Sequence, residues 1–188
     1  MKPGVRALGI AESYRQDRST LAGVVARANR VVDGFGFGTC TVGGTDATAA
    51  MRSLFDRLDR PDVSYLFVAG IAPAWFSIVD LHELHEGTDR PVLSVSFEES
   101  EGLASAIREA FDGEACDRRL ATYRAQPDRQ RVGVADGTVF VRSVGIDDDE
   151  AAAVVRAFTP AGERPEPVRV ARQAARAADQ FRRDHSQA

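Results

Sequence analysis

The chain has 188 residues, 44% hydrophobic and 28% charged: long enough for one packed domain over 1–188 and too short to require two. A net charge of −4 argues against a protein whose affinity rests on a broad cationic field, although a local arginine cluster can still meet phosphate. The two cysteines, Cys40 and Cys116, form neither a CxxC unit nor a disulfide framework. No charged-then-apolar leader and no apolar run near the roughly 18 residues of a membrane span is present, so a soluble, cytoplasmic protein with reduced thiols and no membrane partner is expected.

Val5–Ala11 (VRALGIA) is a short apolar run that suits a central buried strand, followed by a polar turn over Arg15–Ser19. Thr20–Ala28 and Val31–Val42 are β-branched or aromatic stretches joined by Asn29-Arg30, which predicts a three-stranded antiparallel meander. Gly34, Gly36 and Gly38 alternate with Phe35 and Phe37, so one face of the third strand is bare backbone. A bend, a bulge or close approach of another element would use it. From Thr45 to Leu58, Ala50, Met51, Leu54, Phe55 and Leu58 recur at helical spacing, with Thr45 or Asp46 as the natural cap. Val63–Ala69 is a second apolar strand, and a turn over Gly70–Phe76 leads into Ile78–Leu84. Pro91–Phe97 is another strand, followed by helices over Glu101–Phe111 and Cys116–Arg124 and a loop over Gln126–Arg131. Asp136-Gly137 between Val132–Val134 and Thr138–Val144 is a hairpin signal. Asp147, Asp148 and Asp149 cap a helix over Ala151–Phe158, and Pro165-Glu166-Pro167 introduces a last helix from Val168 to about Arg183.

Three antiparallel strands, a helix, then two strands with helical crossovers is the element order of a ribonuclease-H-like α/β fold. The expectation is a mixed five-stranded sheet of order 3-2-1-4-5 with helices on both faces, plus a small C-terminal hairpin and helices. The segments Gly9–Ser13 (GIAES), Gly43–Thr48 (GGTDAT), Gly70–Leu81 (GIAPAWFSIVDL), Arg90–Phe97 (RPVLSVSF) and Arg164–Arg172 (RPEPVRVAR) carry a resemblance that runs in order over nearly the whole chain. They resemble the archaeal domain-of-unknown-function 99 family, also called UPF0215, which is itself similar to endonuclease V. The latter is a metal-dependent nuclease of ribonuclease-H-like fold that cuts near deaminated adenine.

The resemblance implies carboxylates that hold Mg²⁺ or Mn²⁺ for phosphodiester hydrolysis. It places the first acid at the third residue of Gly9-Ile10-Ala11, where this chain has Ala11. It places a second acid three residues before Gly70-Ile71-Ala72, where Phe67 stands. The third falls near the start of the helix after strand three, where Asp46 is either a remnant ligand or a helix cap. Glu12 follows Ala11 but points to the opposite face of a strand. Asp80 is either a ligand or the cap of the helix it precedes.

Trp75 and Phe76, with Gly70, form a candidate stacking surface for a base, or core. His82 and His85 share one helical face, as a metal pair or as solvated side chains. The arginines of the last helix, Arg169, Arg172, Arg176, Arg182 and Arg183, are phosphate contacts or a solvated face. Three readings result. The first is an endonuclease-V-like protein without the full metal centre that binds nucleic acid or nucleotide. The second is an active metal-dependent hydrolase using Glu12, Asp46 and Asp80. The third is an interaction subunit with a partner-covered apolar patch.

Overall fold

The computed structural model describes residues 1–15 and 17–185. β1 (Arg6–Arg15), β2 (Arg18–Arg27) and β3 (Val32–Thr41) form the antiparallel meander. Helix α1 (Ala47–Leu58) leads to β4 (Val63–Ala69), which lies parallel to β1. The short turn α2 (Pro73–Phe76) and helix α3 (Leu81–Thr88) return the chain to β5 (Val92–Ser96), parallel to β4. Helices α4 (Ala104–Ala110) and α5 (Gly113–Ala125) precede β6 (Gln130–Val134) and β7 (Gly137–Val144), and α6 (Asp148–Phe158) and α7 (Glu166–His185) complete the described chain.

The sheet order is β3-β2-β1-β4-β5-β7-β6. The order 3-2-1-4-5 is as expected, but the sheet has seven strands rather than five. The C-terminal hairpin does not stand apart: β7 pairs antiparallel with β5, from Val92↔Val144 to Ser96↔Phe140, and extends the sheet. Its turn is also displaced by one residue, because Val134 pairs with Gly137 and leaves Ala135-Asp136 as the loop. β1 runs four residues past Ala11, since pairing with β2 continues to Arg15↔Arg18 and carries Glu12 and Ser13 into the ladder.

Alternation along the central strands divides the core. Leu8, Ile10, Leu21, Leu66 and Val68 pack with Met51 and Leu54 of α1 and Leu81 and Leu84 of α3 on one face. Phe67, Leu93, Val95 and Val141 pack with Val154 and Phe158 of α6 and with Val168 on the other. Phe67 and Phe158 meet edge to face with centroids 5.5 Å apart. The glycine face of β3 is a close approach: a Cβ on Gly36 would lie 3.0 Å from both Leu54 and Leu58, while Phe35 and Phe37 are exposed. At the amino end of the sheet, Asp33 accepts from Arg27 and Arg6 at 2.6 Å each, and these hydrogen bonds, Arg27's first, hold its carboxyl down at about 2. No helix among the described residues is long and apolar enough to cross a membrane.

The closest approach of another segment to any of the glycines lies where α7 crosses β1. A Cβ on Gly9 would sit 2.2 Å from the carbonyl carbon of Pro167, so no side chain fits without moving the helix. Gly9→Ala is therefore expected to destabilise the protein by at least about 2 kcal/mol, read as a lower denaturation midpoint at unchanged m-value. Gly133→Ala, where a Cβ meets nothing within 4 Å, should leave the midpoint nearly unchanged.

Candidate nucleic-acid interface

The carboxyl ends of β1 and β4, central neighbours in the sheet, are where a site of this topology forms. Gly9 pairs with Phe67 and Ile10 with Val68, so one further step brings Ala69 level with Ala11. Both alanines face α7, where Ala11 is 2% exposed and packs against Val24 and Ala171 with Ala69 alongside. Phe67 is therefore not at the strand end. It lies two residues deeper, opposite Gly9, and the residue beside Ala11 is Ala69.

Glu12 is on the opposite face, as strand alternation requires. Its Oε2 accepts from Ser19 Oγ at 2.9 Å, and its carboxylate also accepts from the backbone of Ala74. Burial pushes the Glu12 carboxyl up from its ordinary value, partly offset by these hydrogen bonds and by Arg172. Cys40 pairs with Ser19 across the ladder, and burial, then Asp46, then Glu12 push its thiol up to about 11. Glu12 and Asp46 thus act together on Cys40, and the thiol stays protonated.

Asp46 occupies the N-cap position of α1 without capping it. Its φ/ψ of −97°/2° lie outside the extended region a cap requires, and its carboxylate turns back to accept from Thr41 N at 3.0 Å and Thr41 Oγ1 at 3.0 Å. Asp80 does cap its helix, accepting from His82 N at 3.0 Å and Glu83 N at 3.2 Å. His82 Nε2 and His85 Nδ1 face the carbonyls of Ala125 and Arg90. Among the described residues no group of three or more His, Cys, Asp or Glu is placed to hold a metal ion.

The turn after β4 is left-handed. Ala74, Trp75 and Phe76 have φ of 49°, 60° and 56°, a conformation costing roughly 1–2 kcal/mol per residue for side chains with a Cβ. Arg119 of α5 holds it. This 6%-exposed guanidinium donates to Phe76 O at 3.2 Å and to the carbonyls of Gly43 and Gly44, and it stacks 3.9 Å above the Phe111 ring. Gly43 N donates to Ala74 O at 2.7 Å, so the β3–α1 loop and the left-handed turn are bound to each other and to α5. The result presents Trp75 to solvent, 52% exposed, while Phe76 packs edge-on against Phe111. Gly70, with φ 77°, begins the turn. Nothing in the sequence marks Arg119 among the other arginines of its helix; only the fold shows that it points inward.

Beside Glu12, a polar crevice of about 480 Å³ runs between the β1–β2 hairpin and α7, lined by Arg172, Arg176, Asp179 and Arg183. Asp179, 2% exposed, accepts from Thr20 Oγ1 at 3.3 Å and pairs with Arg183 at 3.5 Å. Arg169 pairs with Glu166 at 2.7 Å.

The raised carboxyl of Glu12 fixes the sign of a pH effect. Folding favours its protonated form, so the stabilisation from protonation is complete below the ordinary carboxylate value and is lost as pH rises through the raised folded value. Glu12→Gln should thus be more stable than the parent at neutral pH and lose that advantage near about pH 4. Denaturation midpoints across this range check it; a variant less stable at neutral pH would contradict the sign.

With this geometry in view, the comparisons with known proteins agree. The family model described as Endonuclease dU matches residues 3–179. A UPF0215 protein of Pyrobaculum aerophilum is 34% identical over 178 residues, covering 93% of this chain and 94% of that protein. The crystal structure of a protein of unknown function from Archaeoglobus fulgidus superposes with a TM-score of 0.83 at 26% identity, covering 93% of this chain and 98% of that one. Ciona intestinalis endonuclease V, in complex with a 24mer DNA containing an inosine followed by a ribo-adenosine, superposes with a TM-score of 0.62 at 12% identity over 94% of this chain and 86% of that one, a likeness of fold. The ribonuclease-H-like architecture and the UPF0215 resemblance read from the sequence both stand, and the chain belongs to the Endonuclease dU family.

Proposed function

We propose that this protein binds nucleic acid at the end of β1 and β4, with a deaminated base as the feature it reads, and does so without the complete two-metal cleavage centre of endonuclease V. The observation that carries the reading is that both places where the resemblance expects an acid on neighbouring strands are apolar and covered, Ala11 by Ala171, with Ala69 alongside, and Phe67 by Phe158. The residues present do not fit a two-metal centre: Glu12 is engaged with Ser19 and Ala74, Asp46 with Thr41, and Asp80 with the start of α3. Trp75 supplies an exposed face for a base, with Gly70 and Phe76 shaping the turn, and Arg172 and Arg176 supply cations for phosphate. The family description, Endonuclease dU, and the inosine-containing DNA held by a protein of the same fold support a deaminated nucleobase as the target.

A second reading is an active hydrolase with a rearranged acid set of Glu12, Asp46 and Asp80; Glu12 and Asp46 both act on Cys40, while Asp80 caps α3. A single experiment separates the two. The protein is mixed with DNA or RNA carrying deoxyuridine or inosine, with Mg²⁺ or Mn²⁺, and both binding and strand integrity are followed. Because Trp75 is the only tryptophan, binding should quench its emission directly. The expected result is salt-sensitive binding without cutting, with Trp75→Ala weakening affinity about tenfold or more. Replacing both Arg172 and Arg176 by Ala should flatten the salt dependence. Metal-dependent cutting that disappears in Asp46→Ala would instead establish the hydrolase.

A further inference from the structure

A second cavity, of about 270 Å³, lies at the corner where β5 meets β7, walled by Gly102 and Leu103 just before α4 and by Tyr123 of α5, with the exposed residues Glu98 and Ser100 at its rim. It shares Gly70 with the surface described above but uses otherwise different side chains. Arg142, opposite Ser94 in the ladder, is 8% exposed and lines the cavity, and its Nε is buried without a hydrogen-bond partner. Arg129 lines the same space.

These two guanidiniums donate to main-chain carbonyls, Arg129 to those of Glu98 and Ser100 and Arg142 to that of Pro127. Neither forms an ion pair among the described residues. Burial pushes the Arg142 guanidinium's pKa down from its ordinary value; Tyr123 opposes this most, Arg129 reinforces it, and Asp128 opposes it by less than Arg129 adds. A desolvated cation with an unused donor, beside a second cation, is costly unless an anion completes it.

The rest of the lining suits a ligand with an apolar, flat body. Arg129 lies over the Phe140 ring at 5.1 Å and Arg142 near the Tyr123 ring at 5.5 Å, and Ile71 and Leu103 supply apolar wall. The volume is slightly below the roughly 300–1,000 Å³ of typical small-molecule sites, which fits a small ligand rather than a polymer.

We propose that this cavity binds the phosphate of a small ligand, held by Arg142 and Arg129, with the ligand's planar body against the aromatic and apolar wall, the chemistry of a nucleoside monophosphate. The site is independent of the nucleic-acid reading, which uses Trp75, Arg172 and Arg176.

Titration calorimetry on the full chain with a nucleoside 5′-monophosphate, the matching nucleoside and inorganic phosphate tests it. The monophosphate should bind about 10- to 100-fold more tightly than the nucleoside. Inorganic phosphate that binds as well as the monophosphate would support the phosphate site and assign it to the free ion. Arg142→Met should lose monophosphate binding by a similar factor while its quenching by nucleic acid is unchanged. Should Arg142→Met fail to fold, Arg129→Met, at the half-buried second cation, should show the same loss. Equal binding of nucleoside and monophosphate, unchanged binding in a folded Arg142→Met, or no binding of either phosphate probe would overturn the proposal, and none of these results bears on nucleic-acid binding.

Discussion

The structure depends on the contact between Gly9 and Pro167. Because β1 carries no side chain there, α7 comes down directly onto the central strand, and Ala11, Ala171 and Ala175 keep the approach close along its length. That approach buries one face of the meander under an amphipathic helix and orders Arg172 and Arg176 at the edge of the strand ends. It also fills the space beside Ala11 and Ala69. A carboxylate at either position would be buried against Ala171, with the desolvation cost that burying an unpaired charge carries. The helix packing and the chemistry of the strand ends are thus one arrangement.

A second constraint works on the other face. The left-handed turn at Ala74–Phe76 is unfavourable by itself and persists because Arg119 and the Gly43 amide tie it to two other segments. Strain held by the surrounding fold at an exposed aromatic is the pattern expected of a binding surface. Phe111 beneath the guanidinium, and the four carbonyls of Phe76, Ala115, Gly43 and Gly44 around it, compensate a cation that has lost water.

Much of this was legible in the sequence. Val63–Ala69 is read to the residue because Arg60-Pro61-Asp62 and Gly70 bound a continuous apolar run. Asp147 accepts from Glu150 N at 2.8 Å, as a cap placed before an apolar repeat should. The glycine stripe of β3 left a bend, a bulge or a close approach open, and the fold shows the close approach, of α1 at Gly36. What was not legible depends on register and direction. The resemblance expects the second acid at Phe67, but counting along one strand does not show that the residue beside Ala11 is Ala69, because register is a long-range property. Asp46 has a capping residue's identity but not a capping backbone, so its side chain serves Thr41. The hairpin was recognised, but its attachment to β5 was not, because an edge partner leaves no local periodic signal.

The central claim is that the ends of β1 and β4 form a nucleic-acid surface without a divalent-metal centre. Electron paramagnetic resonance of Mn²⁺ mixed in equal amount with the full chain tests it most directly, since only free aqueous Mn²⁺ gives the sharp six-line signal. The account predicts that the free-ion signal keeps its full intensity. A stoichiometric loss of that signal, restored by Asp46→Ala or Glu12→Gln, would contradict it.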